Sequence, residues 1–175
     1  MKKSEIVSLP IYFNAYFNLL KEEDLNLCLE KSLNEITELN IEQLLKLRDK
    51  IYAPKKWTIK DILQHLIDTE RIMSYRALRF ARKDKNEIEG FDEDSFAENT
   101  TAKNRTVNDL LEEYILVRKS SVFLFKNFSD QMLKTTGKAN GKEISVLALG
   151  FIICGHQKHH FNIIEQRYIP LLEQM

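Results

Sequence analysis

Cysteine is nearly missing from this chain. Its 175 residues include only Cys28 and Cys154, far apart and in no CxxC arrangement, so no disulfide framework is indicated. That usage fits a reducing compartment, and Met1–Glu5 is not followed by the apolar region of a signal peptide, so a cytoplasmic location is expected. Proline and glycine are scarce too, at three and five residues, which leaves few points where helical periodicity must break. Excess charge is absent: 26 basic residues balance 26 acidic ones, which argues against a nucleic-acid partner needing a basic face. A long apolar run is absent as well. The longest, Ile144 to Cys154, contains Ser145 and Gly150 and falls far short of the ~20 residues that span a bilayer, so no membrane partner is expected. No G-x-S-x-G, P-loop, Rossmann glycine pattern or H-E-x-x-H occurs.

What is present is sustained helical patterning. One domain, residues 1–175, is expected from the length, and it is large enough to bury a core without staples. Any bound metal is then free to serve chemistry rather than folding. Residues 1–20 carry mixed alternation and helical spacing, and are read as a packed N-terminal arm. Leu25, Leu29, Leu33, Ile36 and Leu39 mark a helix over about 23–39, and Asn40 caps a short one over 41–47. Pro54 interrupts the pattern. Thr58 with Asp61 forms a capping-box signal for a helix over 59–82, with Ile62, Leu66, Met73, Ala77 and Phe80 on its buried stripe. A polar loop, 84–105, follows. Thr106 with Asp109 repeats the signal for a helix to about Phe128, its inner side marked by Leu110, Tyr114, Val117, Ser121 and Leu124. Gly137 to Gly141 reads as a turn. Ser145 caps a last helix to about Tyr168, with Pro170 after it. Four long helices without a convincing strand set indicate an all-α four-helix bundle.

The histidines carry the chemistry. Only four exist, and three lie in Gly155-His156-Gln157-Lys158-His159-His160. Four residues along a helix leave His156 and His160 only ~40° apart, stacked one turn from each other, while His159 lies ~60° to the other side. His65 is the sole remaining histidine and sits near the buried stripe, with Ile62 and Ile72 as neighbours. Inward positions on different bundle helices converge, and metal sites are built that way. Three neutral imidazoles leave a coordination position open, the pattern of a catalytic site. His65, His156 and His160 are therefore the expected ligands of one divalent metal ion, with zinc or nickel favoured. His159 is expected at the surface or behind the ligands, and Cys154 as a small buried hydrophobe. Phe91-Asp92-Glu93-Asp94 is either a carboxylate source for the site or a solvated acidic loop. Arg71, Arg76, Arg79 and Arg82, with acids such as Glu70 nearby, are expected in solvated salt bridges.

Three segments resemble the DinB-like superfamily of damage-inducible proteins: Tyr52-Ala53-Pro54-Lys55-Lys56-Trp57-Thr58-Ile59 running into Gln64-His65-Leu66-Ile67-Asp68, then Gly90-Phe91-Asp92-Glu93-Asp94-Ser95-Phe96-Ala97, then the H-x-x-x-H of His156 and His160. The resemblance spans about Leu25 to Tyr168 and implies an up-down-down-up four-helix bundle with a metal at one end of its core. It maps the family's ligands onto the same three histidines. Lys55 departs from it, since relatives commonly carry Gly before Lys-Trp. The branch resembled holds metal-dependent hydrolases and thiol S-transferases. It therefore implies activation of a low-molecular-weight thiol or water against a small electrophile, with Asp68 and Asp92 as the first carboxylates to consider for orientation or proton transfer. Small-molecule thiol and electrophile are the implied partners, and a homodimer is left open. The competing expectation is a non-catalytic metal- or small-ligand-binding protein of a stress response.

Overall fold

The computed structural model describes residues 1–173. Asp24 caps the first long helix by accepting from Asn26 N, so α2 covers Leu25–Thr37. It is preceded by α1, a single turn at Asn14–Phe17, and followed by α3, Ile41–Leu47, capped by Asn40. Both expected capping boxes are present and open the two longest helices, α4 at Ile59–Ala81 and, after the short α5 at Glu93–Glu98, α6 at Val107–Lys126. A further turn, α7 at Asp130–Leu133, leads to α8 at Val146–Ile163, which Ser145 caps. The chain then passes through a π-turn at Ile164–Tyr168, so the helical path reaches the expected residue with a changed pitch.

Side-chain pairs fix how the long helices run. Ser32 bonds to Cys154 and Glu35 to Lys158, so α2 and α8 run parallel. Glu70 meets Arg118 and Ser74 meets Ser121, so α4 and α6 are also parallel. His65 faces His156, while Met73 lies lower down α4 beside Ile152, so α4 and α8 are antiparallel. With α2 on α6 and α8, and α4 on the same two, the bundle is up-down-down-up.

Two local features outside the centre of the bundle differ from the sequence reading. The Gly137–Gly141 turn belongs to an antiparallel hairpin, β1 at Thr136–Ala139 and β2 at Lys142–Ser145. Its tip is Asn140-Gly141, both at positive φ (48° and 73°), the pair that closes a two-residue hairpin with the right twist. The strands are four residues each, too short to show a strand period. The hairpin leans on α4 at Gly137, where any Cβ would lie 2.0 Å from the Phe80 ring. The other difference is Arg76. It is only 6 % exposed, donates to the Glu89 carbonyl at 3.1 Å and lies over Phe91. It pins the 84–105 loop to α4 instead of standing in solvent.

The core is cut in two by a polar layer. One apolar cluster gathers around Phe80, Phe125 and Phe151, the other around Leu63, Leu66 and Tyr168. Between them lies Arg118, fully buried, gripping Glu70 with two bonds of 2.8 Å each (Nε to Oε1, Nη2 to Oε2). Arg118 also donates to Ser32 Oγ and to Tyr114, whose hydroxyl donates to Gln157 Oε1 at 3.2 Å. Gln157 in turn donates to the Ser32 carbonyl at 2.9 Å. Ser32, Glu70, Arg118 and Gln157 stand on α2, α4, α6 and α8, so one network ties all four helices. The inner stripe of α6 accordingly runs Leu110, Leu111, Tyr114, Arg118, Ser121 and Phe125, rotated from the expected one because an arginine holds its centre.

Removing one partner of a buried pair strands the other charge, which costs about 3–5 kcal/mol. Glu70→Leu should therefore destabilise the protein by that amount in denaturant titration, whereas Arg71→Leu, at an exposed pair, should cost under about 1 kcal/mol.

Candidate metal centre

α4 and α8 meet where His65, His156 and His160 project inward. The three are 7 %, 5 % and 9 % exposed. His65 Nε2 lies 2.9 Å from His156 Nε2, and His160 Nε2 lies 3.1 Å from the same atom. The nitrogens available as ligands fall within 4.8 Å of one another. This is the cluster expected from spacing.

Protons alone satisfy such a cluster poorly. Each close nitrogen pair has room for one hydrogen, and His156 Nε2 is shared by two pairs. Burial disfavours charge on all three rings. It pushes His65 down to about 4 and His160 to about 3, and, with the neighbouring imidazoles adding to it, holds His156 well below the ordinary histidine range. Three neutral, convergent imidazole nitrogens form a donor set suited to a divalent transition ion. On that chemistry the residues fit the metal the sequence implies.

The walls are aromatic. The Trp57 ring lies 4.7 Å from that of His65 and stacks on His160 at 6.3 Å, with planes 20° apart. Tyr16, from the N-terminal arm, packs edge-on to His156 at 5.2 Å and against His159 at 5.1 Å. The arm reaches this close because residue 155 is glycine: a Cβ there would lie 2.6 Å from the Tyr16 carbonyl oxygen. His159 thus lies beside the cluster, half-buried and outside the convergent set.

A pocket of about 230 Å³ opens next to His160, lined by Tyr52, Lys55, Lys56, Trp57 and Asp94 among others. Lys55 adopts φ 62°. A side chain there costs roughly 1–2 kcal/mol relative to glycine and gives this chain an ammonium at the pocket.

Asp68 and Asp92 are engaged elsewhere. Asp68 accepts from Gln64 Nε2 at 2.9 Å and lies 4.0 Å from Arg71, on the side of α4 that faces Arg105 and Glu113. Loss of hydration raises its carboxyl above the usual range. Asp92 is the N-cap of α5, accepting from Ser95 N at 2.7 Å. Neither is hydrogen-bonded to the histidines among the described residues. The next two acids in the chain lie toward the site. Asp94 lines the pocket with His160. The charge of Glu93 is felt at the Tyr16 phenol, and partial desolvation, together with Asp94 and Asp92, raises the Glu93 carboxyl. The acidic segment signalled them. Choosing between adjacent acids required knowing where α5 begins.

The histidines also set a pH dependence. Their folded pKa values lie below the ordinary 6.5, so an unfolded chain takes up protons that the metal-free folded chain refuses. Stability is then full above pH 6.5 and is lost as pH falls toward 4 and 3, where His65 and His160 titrate in the fold. Each histidine should contribute a slope of about 1.4 kcal/mol per pH unit in that window. Denaturation midpoints of metal-free protein across this range, compared with His65→Ala, check it: the variant should show the shallower slope.

No curated protein matches the chain. Among solved structures, YfiT from Bacillus subtilis, described as a probable metal-dependent hydrolase with an unusual four-helix bundle topology, superposes with a TM-score of 0.60 at 17 % identity, covering 91 % of this chain and 90 % of YfiT. No described helix is long and apolar enough to cross a membrane. The family model of the DinB superfamily matches residues 13–164, a span that runs from the arm beneath Tyr16 through all three clustered histidines. The chain belongs to the DinB superfamily.

Proposed function

We propose that His65, His156 and His160 hold one divalent metal ion, zinc or nickel, and that the protein is a metal-dependent enzyme acting on a small electrophile in the pocket beside His160. The single observation behind this reading is the meeting of three buried, neutral imidazoles with no protein cation or carboxylate among them. When bound, the metal supplies Lewis acidity, lowering the pKa of water or of a low-molecular-weight thiol so that a nucleophile exists near neutral pH. YfiT's description as a probable metal-dependent hydrolase supports this reading.

The chain's own residues would do the rest. Trp57 and Tyr16 exclude water from the outer faces of the ligand rings and fix their orientation. Trp57 and Tyr52 give the pocket an apolar wall for the electrophile. Lys55 and Lys56 at its rim favour a substrate or thiol carrying an anionic group. Glu93 and Asp94 would accept or return a proton, and Asp92 would seat them by capping α5. Asp68, one turn from His65, would act through the helix by holding Gln64 and balancing Arg71.

Purified protein should carry about one divalent ion per chain. Alanine at His65, His156 or His160 should remove most of it, and His159→Ala should not. Metal-loaded wild type should turn over activated esters, or conjugate cellular thiols to model electrophiles, and His160→Ala should lose that activity by at least about 100-fold. Equal rates for wild type, the variant and free metal would contradict the enzymatic reading and leave a metal-binding protein.

A further inference from the structure

The two cysteines, 126 positions apart in sequence, meet in the fold. α2 and α8 run parallel and pack tightly at Gly150, where an added Cβ would lie 2.7 Å from Leu25 Cδ2. Three residues on from Leu25 is Cys28, and four on from Gly150 is Cys154. One helical turn above the close contact, the register therefore sets the two thiols against each other. Both side chains line one pocket between the helices, and Ser32, one turn on from Cys28 on the same face of α2, touches Cys154. Ser32 Oγ lies 3.7 Å from Cys154 Sγ and is itself held by the buried guanidinium of Arg118. Both thiols are more than nine-tenths buried, yet both line a pocket of about 210 Å³ whose walls include Leu19, Leu20, Lys31 and Lys158. Buried cysteines are common as inert hydrophobes. Here they face one another across two helices and line one pocket, whose Lys31 and Lys158 are paired with Glu23 and Glu35.

We propose that Cys28 and Cys154 form a redox pair, closing to a disulfide between α2 and α8 when a small hydroperoxide enters this pocket. The Cys154 sulfur attacks the distal oxygen of the peroxide, and the thiol proton passes to the departing oxygen. The O–O bond breaks, an S–O bond forms, and the leaving oxygen departs as alcohol, or as water when the oxidant is hydrogen peroxide. The resulting sulfenic acid is attacked by the Cys28 thiol, which forms the S–S bond and expels a second molecule of water. In sum, two thiols lose two electrons and two protons, and the peroxide is reduced to alcohol and water. Exchange with an external dithiol reverses the bond. The α2–α8 register and the pocket that both cysteines line carry this proposal. It stands whether or not the histidines bind metal, although a closed bridge would clamp α8 two residues before His156.

The test uses the whole protein. Reduced wild-type protein is treated with a small molar excess of hydrogen peroxide. The reaction is quenched, free thiols are blocked with a maleimide under denaturing conditions, and intact mass is measured. The expected product has lost two hydrogens, carries no maleimide, and yields a peptide linking Cys28 to Cys154. Dithiothreitol should restore two maleimide-reactive thiols. The Cys28→Ser variant should instead accumulate a dimedone-reactive sulfenic acid on Cys154. Retention of two reactive thiols, or sulfinic acid on one cysteine with the other still free, would overturn the proposal. The wild-type result decides this even if the variant does not fold.

Discussion

The bundle depends on the grip of Arg118 on Glu70. A guanidinium with no solvent exposure must find acceptors within the protein, and Glu70, Ser32 and Tyr114 supply them from three different helices. Shifting α2, α4 or α6 by a turn would break a bond of Arg118 in a low-dielectric interior, and shifting α8 would break the buried bonds of Gln157, so the network fixes register as apolar packing does not. Its fifth member, Gln157, follows His156 directly. The same bonds that set the depth of α8 therefore set the height of His156 and His160 against His65 on α4.

Around that fixed layer, close approaches bring in the remaining parts. Gly155 lets the N-terminal arm lie against α8, which brings Tyr16 over His156 and His159. Gly150 lets α2 settle on the same helix and draws Cys28 to Cys154. Arg76 fastens the loop after α4 through the Glu89 carbonyl, and α5 follows, presenting Glu93 and Asp94. α8 thus carries two clustered histidines, a network glutamine, a thiol and two glycine contact points within 150–160. Its near-complete burial reflects that load.

Much of this was legible before the fold. The capping boxes at Thr58–Asp61 and Thr106–Asp109 are local signals and mark both helix starts as expected. The histidine cluster was legible because an i,i+4 pair reports its own geometry and His65 was the sole remaining candidate. Features that depend on long-range contact were not. Arg118 sits on an apolar stripe and becomes intelligible only with Glu70 beside it, and Arg76 is buried by a loop rather than by its own helix. The hairpin at 136–145 rests on Asn140-Gly141 and on Phe80, one cue too short and the other too distant for periodicity to register. The contact between the cysteines follows from the parallel register of α2 and α8, which no spacing in the sequence states.

The central claim is that the three imidazoles converge on one ion at the end of the polar layer. X-ray absorption at the metal edge of zinc-loaded protein tests it most directly. The account predicts about three nitrogen scatterers at roughly 2.0–2.1 Å with the multiple-scattering signature of imidazole, and one lighter exchangeable ligand. A shell made of oxygen alone, or one containing sulfur from Cys28 or Cys154, would contradict it.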